Sequence, residues 1–391
     1  MAEVSRDDKV CVVTREDELV ALAPRLSRSD VIALDIESNG IFAYRARLCV
    51  LQLATRDEVV LIDALTTPLT ALTALLGENG PLKIIHDVAF DARILADTGI
   101  TLGNVRDTSL AARMLGRTAT GLSSLLAEVG VTLDKEMQKH DWSKRPLTRE
   151  ALVYLAADVV HLHALADRLW TEVDARGIAS EVDEETRYRL GTAREGTTDP
   201  RPAWLRLKGI ERAPLDHVPI LRHLTDLRET RARELDVPPF KIFTPDVLFA
   251  IAAAKPKSLA DLARIRGISS SGPSASLANA VLRAVEKGLG EAAPSPEDLA
   301  LLSPPRPPAS MIRARRDRER SLSRWRKAEA ARRGVDEQVV LPGHCLQDLS
   351  EIDEPTELAI AAVPGIGAFR VARDGAALLS ALTTPPPGES A

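Results

Sequence analysis

The chain has 391 residues, with 51 Lys and Arg against 56 Asp and Glu and a net charge of −5, a length that allows two or three domains. Hydrophobic residues at 45% supply folded cores, while aromatics at 3% argue against broad base-stacking platforms. A charged N-terminus without an apolar signal region, no run near the ~20 apolar residues that span a bilayer, and three scattered cysteines (Cys11, Cys49, Cys345) point to a cytoplasmic protein in a reducing compartment.

In chain order, strands are expected near residues 10–13, 31–36, 48–54, 59–63, 82–86 and 104–106. Helices are expected near 68–76, 88–97, 108–115, 123–129 and 148–175. The first strands follow one another across short gaps, which favours antiparallel pairing. The later ones alternate with helices, which favours parallel crossovers.

Three segments concentrate acids. In VIALDIESNG the apolar run at 31–34 reads as a buried strand, and Asp35 and Glu37 then project from one face. Two solvated acids would be unremarked at a surface, but in a central strand they call for a compensating cation. In LKIIHDVAFDARIL, Asp91 falls early in a helix whose apolar side carries Phe90, Ile94 and Leu95. A favourable helix dipole alone accounts for an acid there, and His86 reads as a hydrogen-bonding residue. In HDWSKRPLTREALVYLAADVVHL, Tyr154 stands one helical turn before Asp158, so both share a helix face. His161 and His163 on the same stretch read as structural or exposed.

Beyond an acid-rich connector the pattern is helical and repeats at an offset of 98, with residues 227–237 aligning to 325–335 and 266–268 to 364–366. The copies are separated by prolines at 294, 296, 304, 305, 307 and 308, a semi-stiff linker. Residues 311–333 hold ten Lys or Arg and three Asp or Glu; a phosphate-tracking patch and a solvated helix face are equally good readings. Gly365 and Gly367 either present backbone N–H groups to a phosphate or form a tight turn.

Asp35, Glu37, Asp91 and Asp158, in the order strand, helix, helix, resemble the ligand set of the DEDD exonuclease superfamily. One subtype of that superfamily has His five residues before the last Asp, where this chain has Val153. The other has Tyr four before it, as Tyr154 is here. Residues 141–147, DWSKRPL, resemble the DWxxRPL element of the ribonuclease D family, and the repeated sections, about 216–287 and 314–382, resemble the HRDC domain. Ile36, where that family commonly has Thr, and Ser38-Asn39-Gly40 depart from its first motif while leaving the acids intact.

The resemblance implies an α/β RNase H-like exonuclease domain, a mixed sheet flanked by helices, followed by two small all-α HRDC-like domains. The expected boundaries are 1–175 for the nuclease, 176–212 for the connector, 213–289 and 312–382 for the two modules, 290–311 for the linker and 383–391 for a disordered tail. It implies two divalent ions, Mg²⁺ or Mn²⁺. Asp35 would bridge both, Glu37 and Asp158 would hold the ion that activates water, Asp91 would hold the leaving-group ion, and Tyr154 would orient the water. Gln138, Trp142 and Arg145 are candidates to line the channel, with loop packing the alternative for Trp142. The expected substrate is RNA, namely the 3′ single-stranded ends of tRNA precursors and other structured RNAs, handled by a monomer away from membranes. A DNA-directed or repair exonuclease and a non-catalytic RNA-binding scaffold are the competing readings.

Overall fold

The computed structural model describes residues 10–132, 136–194, 201–268, 275–291, 294–302 and 307–383. It divides into two compact units, one of residues 1–38, 48–197 and 308–391 and the other of residues 39–47 and 198–307.

Unit one is built on a six-stranded mixed sheet in the order β1-β4-β3-β2-β5-β6. The strands are β1 (Val10–Val13), β2 (Val31–Ser38), β3 (Leu48–Ala54), β4 (Val59–Asp63), β5 (Leu82–Ile85) and β6 (Val105–Asp107). β2–β3 and β3–β4 pair antiparallel, as their short connections require; β2–β5 and β5–β6 pair parallel across helices. β1 departs from the expectation for the early strands and pairs parallel with β4. The reason is helix α1 (Glu16–Leu26), which the sequence pattern did not reveal because Pro24 lies inside it. β3 and β4 are buried along their whole length, so their continuous apolar runs cover both sheet faces.

The helices that matter for the site are α2 (Val88–Ala96), α3 (Thr108–Met114), α4 (Arg149–Val160) and α5 (Leu162–Ala175). The single long helix expected over 148–175 is broken at His161, which joins α4 to α5. Thr148 caps α4 by accepting from the Ala151 N–H at 3.2 Å. Leu155 and Val159, both fully buried, seat α4 on β2, β3 and β4.

The expected connector is, over its first part, helix α6 (Ala179–Arg194), which packs against α2 and α3. Its acid-rich sequence hides a buried face of Val182, Glu185, Thr186 and Leu190.

Unit two holds the first module. Helices α7 (Val218–Glu234), α8 (Pro245–Ala254) and α9 (Ala278–Gly290) enclose a core that includes Leu221, Leu224, Leu248, Ile251 and Val281. The segment expected as a semi-stiff linker is partly folded onto this module. Residues Pro296–Leu302 form a short helix, and Asp298 pairs with Arg222 at 2.8 Å. Pro304 and Pro305 lie outside the described residues.

The second module belongs to unit one. It opens with the long helix α10 (Ala309–Arg333) and closes with α11 (Ala368–Thr383); of the expected disordered tail at 383–391, Thr383 instead ends α11 and the rest lies outside the described residues. The module meets α6 through Glu181, which is 1% exposed and pairs with Arg333 at 2.9 Å and Arg373 at 2.7 Å. His344 stacks on Tyr188 at 3.7 Å between ring centroids, and its Nε2 shares a hydrogen bond with Glu185 at 3.0 Å. Gly365 and Gly367 both have positive φ. A Cβ on Gly365 would meet His344 and Tyr188, and one on Gly367 would meet Phe369 and Glu184. The glycine turn is thus filled by protein packing, which is the second of its two readings.

Candidate active site

The first two acids come from the end of β2. Alternation puts Asp35 and Glu37 on one face, and the pairing register shifts between Glu37 and Ser38 where the strand leaves β3. α4 brings Asp158 to the same place. Ligand atoms of Asp35, Glu37 and Asp158 all lie within 4.8 Å of one another. Tyr154, one turn earlier, stands beside Asp158 and lowers its carboxyl, and its ring lies 5.7 Å from that of Trp142.

Three carboxylates so close repel one another, and the burial that surrounds them makes each negative charge costly. Burial first, and Asp158 second, push Asp35 up to about 7. Burial, then Asp35 and Asp158, push Glu37 up to about 9. Burial raises Asp158 to about 6 against the lowering effect of Tyr154. The Tyr154 phenol is raised by burial and then by Asp158, Glu37 and Asp35. A site that holds acids in this state is short of positive charge.

Asp91 stands apart from this trio but senses it. It is 5% exposed, one carboxylate oxygen, Oδ2, is buried without a hydrogen-bond partner, and burial followed by Asp35 pushes it well above the ordinary carboxylate range. An orphaned carboxylate oxygen beside three clustered acids fits the donor set for hard divalent cations, which take oxygen ligands.

The position of Asp91 is set by a residue that sequence reasoning missed. α2 begins at Asp87 in the left-handed region, φ 68°, with no side-chain cap of its own. The cap comes from β6. The Asp107 carboxylate accepts from the N–H groups of Asp87 at 3.1 Å and Val88 at 3.0 Å, and from Ser109 at 2.9 Å and Leu110 at 3.1 Å. One buried acid therefore ties the start of α2, which carries Asp91, to the start of α3. Its signal in the sequence is the Asp-Thr-Ser run that opens a helix directly after a strand. Gln52 is a second such residue. It sits opposite Asp35 in the β2–β3 register, on the same sheet face, fully buried and with neither amide atom partnered. Its signal is a lone polar residue in the apolar strand LCVLQLA.

Among the other sequence candidates, Arg145 and Phe90 are placed differently from expectation, and Trp142 takes the packing alternative. Trp142 is 2% exposed and packs between His140 and Tyr154, so it supports the tyrosine from within the core and does not line a channel. Arg145 spends its donors inside the protein. Nε and Nη2 grip Asp63 at 2.5 and 2.7 Å, Nη2 also reaches Cys49 O at 2.9 Å, and Nη1 reaches Trp142 O and Lys144 O at 2.8 Å each. Burial would raise Asp63, but the guanidinium holds it below its ordinary value. Arg145 is thus a clamp from the loop before α4 to the end of β4, with no donor left for substrate. The Gln138 side chain lies outside the described residues. His86 bonds Thr108 at 2.9 Å and His163 bonds Ala54 O at 2.9 Å, both structural roles. Phe90, expected on the apolar side of its helix, is 44% exposed beside Asp91, while Ile94 and Leu95 are buried.

A six-stranded mixed sheet that gathers acids from a central strand and from two flanking helices defines a 3′–5′ exonuclease domain, and the model of that domain family, described as 3′-5′ exonuclease, matches residues 10–174. The HRDC domain model matches residues 218–283 and 315–382. Ribonuclease D of Zymomonas mobilis is 34% identical over 281 residues, which cover 70% of this chain and 72% of that protein. Ribonuclease D of Nitrobacter hamburgensis is 30% identical over 75% of this chain and 77% of that protein. The crystal structure of Escherichia coli RNase D, at 24% identity, shares the fold with a TM-score of 0.67 over 96% of this chain and 99% of that one. The chain belongs to the ribonuclease D family and is a 3′–5′ exoribonuclease.

Proposed function

We propose that the protein removes nucleotides from the 3′ ends of structured RNAs, tRNA precursors among them, by hydrolysis supported by two divalent ions at the acidic cluster. The observation that carries this reading is the convergence of Asp35, Glu37 and Asp158 within 4.8 Å, with the orphaned Asp91 oxygen nearby. Bound divalent cations supply charge neutralisation on the phosphate and lower the pKa of a bound water. Asp35, Glu37, Asp91 and Asp158 would hold them, and Mg²⁺ suits an all-oxygen set.

The protein's own contribution is positional. Tyr154 keeps its proton near neutral pH, since a phenol ordinarily titrates at ~10 and burial raises it further. It therefore works as a hydrogen-bond donor that orients the attacking water or the scissile phosphate. Trp142, packed against its ring, fixes the tyrosine, and Arg145 fixes the loop that carries Trp142. Asp107 fixes the start of the helix that carries Asp91.

The test compares matched RNA and DNA strands with 3′ overhangs in the presence of Mg²⁺. Stepwise shortening of RNA, with a tRNA precursor trimmed only in its 3′ trailer, supports the reading. Preference for DNA, or cleavage within the RNA chain, overturns it.

A further inference from the structure

Gln52 is the lone amide of β3, a strand otherwise built of Leu, Cys, Val and Ala. Alternation puts it on one sheet face with Val50 and Ala54 of its own strand, both fully buried. Across on β4 stands Leu61, which is 1% exposed. Val50, Ala54 and Leu61 share one apolar cluster with Leu155 and Val159 of α4, which cover this face. Across on β2 stands Asp35. Directly opposed residues of an antiparallel pair have Cβ atoms ~4.5–5.5 Å apart, within reach of one another's side chains. Asp35 is thus the polar residue directly opposite an amide that is otherwise set among apolar groups.

The Gln52 side chain is fully buried, and neither Nε2 nor Oε1 has a hydrogen-bond partner among the described residues. A buried amide in that state weakens the fold, and an apolar residue of similar size would not. β3 therefore carries a residue that works against its own packing. A second orphan, Asp91 Oδ2, belongs to the acidic site itself. Both mark a place where the fold is incomplete without a further charge.

We propose that Gln52 is a positioning residue for Asp35, its amide N–H donating to the Asp35 carboxylate when that carboxylate holds a divalent cation. The inference rests on the reading of Asp35, Glu37, Asp91 and Asp158 as a divalent-cation site. A carboxylate is acceptor-only and offers about four lone-pair sites, so it can serve cations and still accept from an amide. Hydrogen bonds to a ligating group fix its orientation, and a bond to an ionised acceptor is stronger than one between neutral groups. Glutamine supplies the donor without charge. Another acid here would add to the repulsion within the trio, and a lysine would compete with the cation.

The experiment uses the full chain carrying Gln52→Met, which keeps the unbranched length and removes the amide. Gln52→Leu, the residue type opposite it on β4, serves as a second variant with different packing. Binding of Mn²⁺ in the absence of RNA is followed by the EPR signal of the free ion. Thermal unfolding is followed by calorimetry in EDTA. Both variants should raise the Mn²⁺ dissociation constant by ~10–100-fold. Their Tm in EDTA should stay level with the wild type or exceed it, because the unpaired amide is gone. An unchanged dissociation constant in a folded variant would overturn the proposal. A Tm in EDTA that falls in both variants would overturn it too, since the amide would then serve the fold and not the site. Wild type that binds no Mn²⁺ faults the reading of the acids as a cation site and removes the proposal with it. Wild type that binds, with variants that bind equally well, faults the role of Gln52 alone.

Discussion

Replacing Asp35 by Asn should destroy hydrolysis and stabilise the metal-free fold. Asp35 titrates near 7 in the folded chain against an ordinary value of 3.8. A raised carboxyl contributes stability that is fully present below about pH 4 and is lost as pH rises through about 7. At pH 8 the wild type without metal has therefore lost it. Three pKa units correspond to about 4 kcal/mol at 1.36 kcal/mol each. Asp35 keeps partial exposure to solvent, which screens the repulsion, so about half of that, ~2 kcal/mol, is the working figure. For a unit of this size ~2 kcal/mol corresponds to a Tm increase of roughly 4–8 °C. Differential scanning calorimetry in EDTA at pH 8 and again near pH 4.5 reads it directly. The variant should melt higher at pH 8 and level with the wild type at the lower pH. Added Mg²⁺ should raise the Tm of the wild type more than that of the variant. Equal or lower Tm for the variant at pH 8 would mean that the three acids are not a strained, cation-seeking cluster.

Tyr154→Phe should slow single-turnover hydrolysis by ~10²–10⁴-fold, less than Asp35→Asn does, with Tm unchanged; an unaltered rate would reduce the tyrosine to packing. Asp107→Asn removes part of the joint cap of α2 and α3, so the Mg²⁺ concentration for half-maximal rate should rise and the rate should partly recover at high Mg²⁺. A simple loss of Tm with unchanged Mg²⁺ dependence would argue against a positioning role. Arg145→Lys cannot span Asp63 and three carbonyls, and should cost about 1–3 kcal/mol of stability while leaving KM for RNA as it was; a raised KM would return Arg145 to the substrate channel. Glu181→Gln leaves Arg333 and Arg373 without their buried acid and should lower the Tm of unit one, by about 3 kcal/mol of stability, whereas an unchanged Tm would show the second module to be loosely held.

The sheet was legible because its strands are short apolar runs bounded by turn residues, and five of its six strands pair as their connections suggest. β1 was not, because its parallel partner β4 lies far along the chain and α1 carries an internal proline. The acids of the site were legible as residue types at helical and strand spacing. What surrounds them was not. The shared cap at Asp107 and the clamp of Arg145 join residues 19 to 96 positions apart, which no local pattern encodes, and the orphaned amide of Gln52 shows only once its neighbours are in place. The charge of α10 was visible as a count, but only the ion pairs show that Arg318, Arg326 and Arg333 tie this helix to its neighbours.

The most direct test follows a 5′-labelled single-stranded RNA under single-turnover conditions with wild type and Asp35→Asn, with Mg²⁺ or with EDTA. The expected result is a ladder that shortens one nucleotide at a time from the 3′ end, present only for wild type with Mg²⁺. A ladder that persists in EDTA, or in the Asp35→Asn variant, would contradict a metal-supported site built on Asp35.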